Sequence, residues 1–377
     1  MEEHIFSLNG VEVGFEPGQT ILEAATANNV YIPTLCYLKG TTPTGACRVC
    51  VVEVEGARNL CASCSTPVTK GMVVWTETPR VVKARRWYIS LMLASGNHNC
   101  SIAGPEKDED WTDYQLRVRQ QDDFEELCPS WGDCRLQELA YKYQVRANLF
   151  PAPRESPPIE TSNPFIVRDF SRCILCGRCV QACNEVQVNR AISFGYRGSE
   201  ARIVTSGDRP LGESDCVFCG ECVQVCPVAA LFEKKARFVY RLWETHKVRT
   251  TCPYCGVGCQ QWLHVKDGKI LKVTGVEDAE PNKGRLCVKG RFGYDFIYSD
   301  ERLKTPLIKE DGEFREASWD EALDMVVSRF RKIISNDGTD ALAGVSCSRS
   351  INEDSYQMQK LFRAVFKTNN IDHCART

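Results

Sequence analysis

Short apolar runs alternate with turn residues through the first 78 positions, which is the pattern of a small strand-rich module. Four runs have strand character: His4–Leu8, Val11–Phe15, Val51–Val54 and Met72–Thr76. The first two flank Asn9-Gly10, a strong signal for a β-hairpin. Thr20 can cap a short helix over residues 21–28. We therefore predict a β-rich domain at residues 1–78.

The middle of the chain changes to helical periodicity and then to a repeat. Helices are predicted at Arg80–Leu93 and Arg135–Val145, with a charged insertion of no clear period at 104–126 between them. Five prolines within residues 148–164 favour a semi-rigid linker. Residues 165–240 contain two copies of one cysteine pattern. We therefore expect a helical domain at 79–147, then the linker, then a repeat domain.

From residue 246 the pattern changes again. Trp262–Val273 forms a predicted hairpin around Asp267-Gly268, and Ser318–Glu321 is a capping box that opens a helix to about Ile334. A buried strand at Ala341–Ser346 precedes a helix at Asn352–Lys367. Strand followed by helix indicates the start of an α/β domain. The fold class is therefore multidomain α+β, with domains at 246–303 and 304–377, and the last one incomplete.

Composition excludes several classes of protein and leaves one abnormal number. The net charge is -2 and no apolar run approaches the roughly 18 residues of a membrane span, so neither nucleic acid nor a bilayer is an expected partner. The acidic start fits no export signal, and we expect a cytoplasmic protein. The chain has 22 cysteines. Because cytoplasmic thiols stay reduced, these cysteines indicate metal binding.

Two cysteine runs in the repeat domain give the strongest signal. Both have the spacing Cys-x2-Cys-x2-Cys-x3-Cys, and the second is followed by Pro227. Such runs specify two [4Fe–4S] clusters, with each fourth cysteine crossing to the other cluster. The predicted ligand sets are Cys173, Cys176, Cys179 and Cys226 for one cluster, and Cys216, Cys219, Cys222 and Cys183 for the other. Structural zinc is the alternative, but zinc sites favour two separated Cys-x2-Cys pairs.

Two further sets of four cysteines lie before and after the repeat domain. In the β-rich module, Cys36, Cys47 and Cys50 precede either Cys61 or Cys64, and a wide loop plus a close pair suits a [2Fe–2S] cluster. The other set predicts a [4Fe–4S] cluster, with zinc again as the alternative; its members are Cys252, Cys255, Cys259 and Cys287.

A weaker signal combines a histidine with three cysteines. His98 lies beside Cys100, ahead of the pair Cys128 and Cys134. We predict a further metal site from these four residues. Cys347 and Cys374 have no partner at ligand spacing and are interpreted as structural.

Residues 1–238 resemble the N-terminal half of the large iron–sulfur subunit of complex I and of iron-only hydrogenases. The matching segments are Pro33–Cys36, Gly45–Val54 and Gly132–Gln137. The resemblance implies a β-grasp [2Fe–2S] ferredoxin-like domain, a helical His/Cys3-type [4Fe–4S] domain and a double [4Fe–4S] ferredoxin domain. The segment Ala62–Val68 resembles the fourth-ligand segment of that family, which favours Cys64 over Cys61. The chain departs from the family in placing His98 close to Cys100 and in inserting 27 residues before Cys128.

Residues 248–377 resemble the opening of molybdopterin oxidoreductases, and of formate dehydrogenase catalytic subunits in particular. The matching segments are Thr251–Cys259, Gly284–Phe292, Ser318–Ala322 and Thr368–Arg376. The resemblance implies a molybdenum or tungsten ion held by two pyranopterin guanine dinucleotides, with formate and carbon dioxide as substrate and product. Lys289 matches the family lysine between cluster and pterin. Because ligands bind beyond the carboxyl ends of strands in α/β folds, we predict pterin contacts at Ser348, Arg349 and Asn352.

By the same resemblance, electrons leave through one [2Fe–2S] and four [4Fe–4S] clusters to partner subunits. These partners would be flavin or iron–sulfur subunits linked to NAD(P)H or ferredoxin, or a hydrogenase. The alternative function is a non-catalytic electron-relay subunit of a complex I-like, NADH-linked complex. A hydrogenase is a weaker option, because the C-terminal third lacks the cysteine-rich active-site motifs of that family.

The last segment, residues 372–377, carries one more expectation. In the resembled family the next residue is the metal-ligating selenocysteine or cysteine. Selenocysteine is encoded by UGA, which ordinary translation reads as a stop. We therefore expect that the chain is truncated just before a selenocysteine, and that this product carries clusters but oxidises no formate.

Overall fold

The computed structural model describes residues 4–96, 98, 130, 132–145, 150 and 157–374, which divide into two compact units at His246. The insertion at 104–126, Cys100 and Cys128 lie outside the described residues. Among the described helices, none is long and apolar enough to cross a bilayer.

The first unit begins with a mixed five-stranded sheet in the order β2-β1-β5-β3-β4. The strands are β1 (Ile5–Leu8), β2 (Val11–Gly14), β3 (Val51–Val54), β4 (Cys61–Ala62) and β5 (Val73–Trp75). The hairpin β1–β2 turns at Asn9-Gly10, both with positive φ, as the dipeptide predicts.

One short helix, α1 (Ile21–Ala27), packs on this sheet. Thr20 caps it with a complete capping box, since its side chain accepts from Glu23 N while the Glu23 carboxylate accepts from Thr20 N. The helix and sheet share one apolar core, which contains Phe6, Leu8 and Val52. The ferredoxin-like expectation for this region is confirmed by this arrangement.

Helices α2 (Pro79–Ala94) and α3 (Arg135–Lys142) form the second part of the unit. Thr78 caps α2 and Pro79 occupies its first turn. Buried residues of both helices join Leu35 and Val49 of the preceding module in one core cluster. The two parts therefore pack as one body, and the second helix ends three residues earlier than the sequence pattern predicts.

The repeat region forms two short helices, α4 (Arg178–Gln181) and α5 (Glu221–Val225), among short strands. Those strands are β6 (Ile159–Glu160), β7 (Ile166–Asp169), β8 (Ile192–Gly195), β9 (Arg202–Thr205) and β10 (Leu231–Glu233). They pair as a three-stranded sheet, β10-β7-β6, and a hairpin, β8–β9. Each short helix follows a glycine in the left-handed region, Gly177 and Gly220.

The second unit opens on a three-stranded sheet of β11 (His246–Thr251), β12 (Gln260–Lys266) and β13 (Lys269–Gly275), followed by the short helix α6 (Val288–Phe292). The predicted hairpin at Asp267-Gly268 is confirmed, with both residues at positive φ. A second hairpin, β14 (Leu307–Glu310) with β15 (Glu313–Glu316), follows.

The end of the second unit is a β-α-β arrangement. Helix α7 (Trp319–Asp337) begins at the predicted Ser318 cap and runs three residues beyond Ile334. Strand β16 (Gly344–Ser346) and helix α8 (Asn352–Lys360) lead to β17 (Ile371–His373), which pairs parallel with β16. The α/β expectation is confirmed.

The prediction of one buried strand over 341–346 is wrong at its start and on its exposure. Residues 339–341 form a 3-10 turn, and Val345 is exposed. A two-stranded sheet cannot cover both faces of its strands, so an apolar run there is not a buried strand. The helix predicted to Lys367 instead changes to a π-helical turn over Leu361–Phe366.

Candidate metal centres

Four thiols of the first module converge at one end of its sheet. Gly45, in the loop between Cys36 and Cys47, and Arg48, just after that loop, both adopt positive φ. The Cys47 amide donates to Cys36 Sγ at 3.5 Å. Cys50 directly precedes β3, and Cys64 lies just beyond β4. Strand pairing of β3 with β4 therefore brings the last two cysteines together.

Hydrogen bonding within this set perturbs the thiols in pairs. The hydrogen bond with Cys47 lowers the pKa of Cys36 to about 5 and raises the pKa of Cys47. The hydrogen bond with Cys64 lowers the pKa of Cys50 to about 6 and raises that of Cys64. A thiolate is the form that binds metal, so two of the four are already shifted towards it.

The structure places Cys64, rather than Cys61, with the other three thiols. Cys64 is 1% exposed and carries the electrostatic influence of Cys36, Cys47 and Cys50. The Cys61 thiol instead donates to the backbone oxygen of Asn59 at 3.8 Å.

The eight cysteines of the repeat region line a single cavity, together with apolar side chains such as Ile174, Leu211 and Val228. The two copies share one backbone geometry: Leu175 and Phe218, each directly before the second cysteine of its run, both have positive φ. Local amides point at sulfur, since Phe218 N donates to Cys216 Sγ at 3.4 Å and Ala191 N to Cys183 Sγ at 3.3 Å.

Electrostatic influences connect thiols of the two cysteine runs. Burial raises the pKa of Cys173 to about 11 and that of Cys176 to about 12, and Cys226 adds to both shifts. Burial likewise raises the pKa of Cys179, and Cys176, Cys226, Cys173 and Cys222 add to that shift. Burial raises the pKa of Cys216, with Cys219 and Cys183 contributing. Cys226 therefore lies near the first run and Cys183 near the second, and the influence of Cys222 on Cys179 shows that the two predicted sets are close to each other.

The third set lies at the base of the β12–β13 hairpin. Burial raises the pKa of Cys252, and its thiol neighbours in this effect are Cys287 and Cys255. Cys259 is influenced by the other three. The Cys252 amide donates to the Cys259 carbonyl at 2.8 Å, which closes the loop between them. Cys287 is exposed at the start of α6.

Lys289 lies in the first turn of α6, two residues after Cys287. Its ammonium partly offsets the effect of burial, which still leaves the pKa of Cys252 raised. The next residue, Gly290, is close to the same sulfur: a Cβ there would stand 3.3 Å from Cys252 Sγ. A positive charge is therefore held beside this thiol set by a helix that packs against it.

The predicted pterin-binding residues lie beyond the carboxyl end of β16. Ser348, Arg349 and Asn352 are exposed there, and the Asn352 amide donates to the Gly256 carbonyl at 2.7 Å, within the third cysteine loop. The parallel β16–β17 pair also brings Cys347 Sγ to 3.4 Å from Cys374 Sγ. These two cysteines, which had no partner by spacing, thus pair in space at the edge where α/β folds bind ligands.

His98 and Cys134 are the described members of the histidine-containing set. The His98 ring is buried, and burial lowers its pKa to about 4, so it is neutral at pH 7. Within the described residues its Nε2 has no hydrogen-bond partner. Cys134 begins α3, and the next amide, Arg135 N, donates to the Pro227 carbonyl at 2.8 Å. A buried neutral imidazole nitrogen without a partner suits a metal ligand.

The chemistry of the donor sets fits iron–sulfur clusters. The iron atoms of [2Fe–2S] and [4Fe–4S] clusters are held by cysteine thiolates, and each all-cysteine set supplies four thiols. In the part of the chain that the structure describes, no three His, Cys, Asp or Glu side chains are placed to share one metal ion.

Four family models match the chain in sequence order. They are a 2Fe-2S iron–sulfur cluster binding domain at residues 3–79, a 4Fe-4S dicluster domain at 172–230, a molybdopterin oxidoreductase Fe4S4 domain at 245–299 and a molybdopterin oxidoreductase domain at 302–377. The chain therefore contains iron–sulfur cluster domains followed by the Fe4S4 and molybdopterin domains of molybdopterin oxidoreductases.

Two curated relatives match this chain along its whole length. A protein of Staphylococcus haemolyticus named "Putative formate dehydrogenase" is 33% identical over 415 aligned positions, and one of Staphylococcus aureus with the same name is 34% identical. Both alignments include the whole of this chain, which spans 39% of the length of either relative.

A solved structure is similar to part of the chain. It is a chain from the crystal structure of an NAD+-reducing [NiFe]-hydrogenase in the H2-reduced state, 33% identical with a TM-score of 0.53. The match covers 64% of this chain and 92% of that one.

Proposed function

We propose that this chain forms the electron-transfer part of a formate dehydrogenase catalytic subunit. In that function formate is oxidised to carbon dioxide, a proton and two electrons at a molybdenum or tungsten ion held by two pyranopterin guanine dinucleotides. The observation that carries the proposal is the thiol set of Cys252, Cys255, Cys259 and Cys287 with Lys289 beside it, in the region matched by the molybdopterin oxidoreductase models. The names of the staphylococcal relatives support formate as substrate.

We assign one cluster to each converging thiol set. The [2Fe–2S] ligands are Cys36, Cys47, Cys50 and Cys64. The [4Fe–4S] ligands are the two crossed sets of the repeat region, the set that begins at Cys252, and His98 with Cys100, Cys128 and Cys134. This gives one two-iron and four four-iron clusters.

The bound metal and pterins would supply the two-electron chemistry, and residues of this chain would do three things for it. Ser348, Arg349 and Asn352 would bind pterin at the edge beyond β16, with Asn352 also holding the Gly256 loop. Lys289 would stabilise negative charge that arrives near Cys252. The buried thiols would keep the clusters away from water and oxidants.

The partners that we propose are flavin or iron–sulfur subunits linked to NAD(P)H or ferredoxin. The similarity of part of this chain to a chain of an NAD+-reducing hydrogenase supports a partner of that kind. We place the protein in the cytoplasm, because 22 reduced cysteines require a reducing compartment.

The test uses the natural full-length protein, purified without oxygen and mixed with formate. The expected result is reduction of the iron–sulfur clusters, which is monitored by electron paramagnetic resonance. Lys289→Ala should slow this reduction by at least ~10-fold with unchanged iron content, since it removes one charge-assisted contact. Lys269→Ala, in the β12–β13 hairpin, is the matched control and should have no effect. Wild-type rates in the Lys289 variant would exclude its role as a relay.

The electron-relay function is the second candidate, and the hydrogenase similarity favours it. Metal analysis of the same preparation separates the two functions. Molybdenum or tungsten at about one atom per chain, with formate-driven reduction, supports the dehydrogenase. If the preparation contains neither molybdenum nor tungsten, and only NADH reduces its clusters, the electron-relay function replaces our proposal.

A further inference from the structure

Arg85 on α2 is one of the largest fully buried side chains among the described residues, with 0% of its surface exposed. Its guanidinium makes four hydrogen bonds. Nε donates to the Val49 carbonyl at 3.0 Å and Nη2 to the Val51 carbonyl at 2.8 Å. Nη1 donates to Glu77 Oε1 at 2.6 Å and to the Tyr143 hydroxyl at 2.8 Å.

Two of these contacts place the cation on the backbone that flanks one predicted cluster ligand. Val49 and Val51 are the two neighbours of Cys50, so the planar fork of the guanidinium holds the backbone on both sides of that cysteine. Cys50 itself is 1% exposed. A positive charge is therefore held on the backbone of a predicted thiolate ligand, in a region without solvent where screening is weak.

The counter-charge is on the opposite side of the guanidinium and closer to water. The Glu77 side chain is 45% exposed, whereas that of Arg85 is 0% exposed. Tyr143 bridges them, since its hydroxyl also donates to Glu77 Oε1 at 2.9 Å. Burial raises the pKa of Tyr143 to about 12, so this hydroxyl keeps its proton at neutral pH. The guanidinium therefore lies on the buried backbone around Cys50, and the carboxylate lies on the side nearer to solvent.

We propose that Arg85 is a positioning residue of the [2Fe–2S] cluster: its buried guanidinium fixes the backbone around Cys50 and favours the reduced form of the cluster, while Glu77 opposes it. The proposal rests on the assigned [2Fe–2S] ligands and on these contacts. Reduction adds one electron to the cluster, so a nearby cation stabilises the product more than the reactant. Charge and hydrogen bonding near sulfur are known means of setting cluster potentials.

Two variants should therefore shift the midpoint potential in opposite directions. Arg85→Met removes the cation at similar volume, and the reduced-to-oxidised ratio at a fixed ambient potential should fall at least ~10-fold, which is about 59 mV for one electron. Glu77→Gln removes the anion and should raise the same ratio. If Arg85 had only a structural role, the two variants would not shift the midpoint potential in opposite directions.

The experiment is a redox titration of the wild-type chain and its variants, monitored by the electron paramagnetic resonance signal of the reduced [2Fe–2S] cluster. Arg85→Lys keeps the charge without the fork, so the potential should stay near that of wild type while thermal stability falls. Arg86→Met is the matched control. Arg86 is the next residue on α2, is exposed, and donates to the Tyr143 carbonyl at 2.9 Å. Its loss should leave the potential unchanged.

The outcomes separate this proposal from the ligand assignment. If Arg85→Met cannot hold a cluster, Glu77→Gln and Arg85→Lys decide, because Glu77 is half-exposed and its change to Gln preserves shape. Potentials that do not move, or that move in the same direction in Arg85→Met and Glu77→Gln, overturn the role of Arg85. The complete absence of a [2Fe–2S] signal from wild-type protein would instead overturn the assignment of the four cysteines.

Discussion

Two predicted cluster sites each have four cysteine thiols as ligands, but the thiols lie in different surroundings. In the set of Cys36, Cys47, Cys50 and Cys64, three members are 1% exposed and the last two belong to a core cluster of 13 buried residues. In the set that begins at Cys252, that cysteine is buried while Cys287 is exposed, and the core beside it contains Val273, Leu286 and Tyr294.

The difference shows that ligand spacing and ligand environment are separate properties. Spacing decides which thiols can meet, and both sets satisfy it. Environment decides how readily solvent, oxidants and partner charges reach the sulfur, and this governs both reactivity and reduction potential. We therefore expect the first set to behave as a protected site and the second as an accessible one.

The largest expected effect is loss of a whole cluster. Cys64→Ala should abolish the [2Fe–2S] signal and leave the [4Fe–4S] signals in place, because Cys64 lies with Cys36, Cys47 and Cys50. Cys61→Ala is the control and should retain the signal. Electron paramagnetic resonance of the reduced chain measures both, and the reverse result would move the fourth ligand to Cys61.

The core beneath the protected site should carry much of its stability. Leu8 and Val11 face each other across the β1–β2 hairpin, yet Leu8 is 2% exposed and Val11 is 62% exposed. Leu8→Ala should lower the free energy of unfolding by about 2–5 kcal/mol. Val11→Ala should change it by less than about 0.5 kcal/mol. Urea unfolding, followed by loss of [2Fe–2S] absorbance, checks this, and equal effects would contradict the buried core.

Thiol labelling of the cluster-free chain compares the two sets directly. Cys287 should react with iodoacetamide at least ~10-fold faster than Cys50, since a buried thiol reacts only when the structure opens. The low pKa of Cys50, about 6, acts in the opposite direction, so the comparison asks whether burial outweighs ionisation. Mass spectrometry of the labelled peptides gives the ratio. Faster labelling of Cys50 would mean that the first module opens readily.

The smallest predicted effect concerns Cys374. Its hydrogen bond with Ser348 is the largest influence that lowers the Cys374 pKa to about 7, so the reactive thiolate is present above that pH and is lost as the pH falls below it. Ser348→Ala should move the midpoint of the labelling profile to higher pH. An unchanged midpoint would show that this hydrogen bond does not form in solution.

Local signals in the sequence predicted β1, β2, β3, β5 and helices α1 to α3 of the first unit, but not β4 or the short strands and helices of the repeat region. Asn9-Gly10, the Thr20 cap and Pro79 each act within a few residues, and their strands and helices are in place. The cysteine spacings also grouped the thiols that the structure brings near one another. In both cases the information is short-range or is carried by a repeated motif.

Long-range relationships were missed for a physical reason. The parallel pairing of β16 with β17, which brings Cys347 to Cys374, depends on a crossover that no local pattern encodes. The burial of Arg85 gave no signal either, because an arginine on a helix is usually solvated and its partners are distant in sequence. The position of Arg85 on the apolar face of α2 is the sequence signal that could have indicated its burial.

Iron content tests the central claim, that these cysteines hold a chain of iron–sulfur clusters, most directly. The measurement combines iron and acid-labile sulfide assays with Mössbauer spectroscopy on the 377-residue chain, purified without oxygen. One two-iron and four four-iron clusters predict about 18 iron atoms per chain, with one [2Fe–2S] component in the spectrum. A colourless protein with zinc in place of iron would contradict the account.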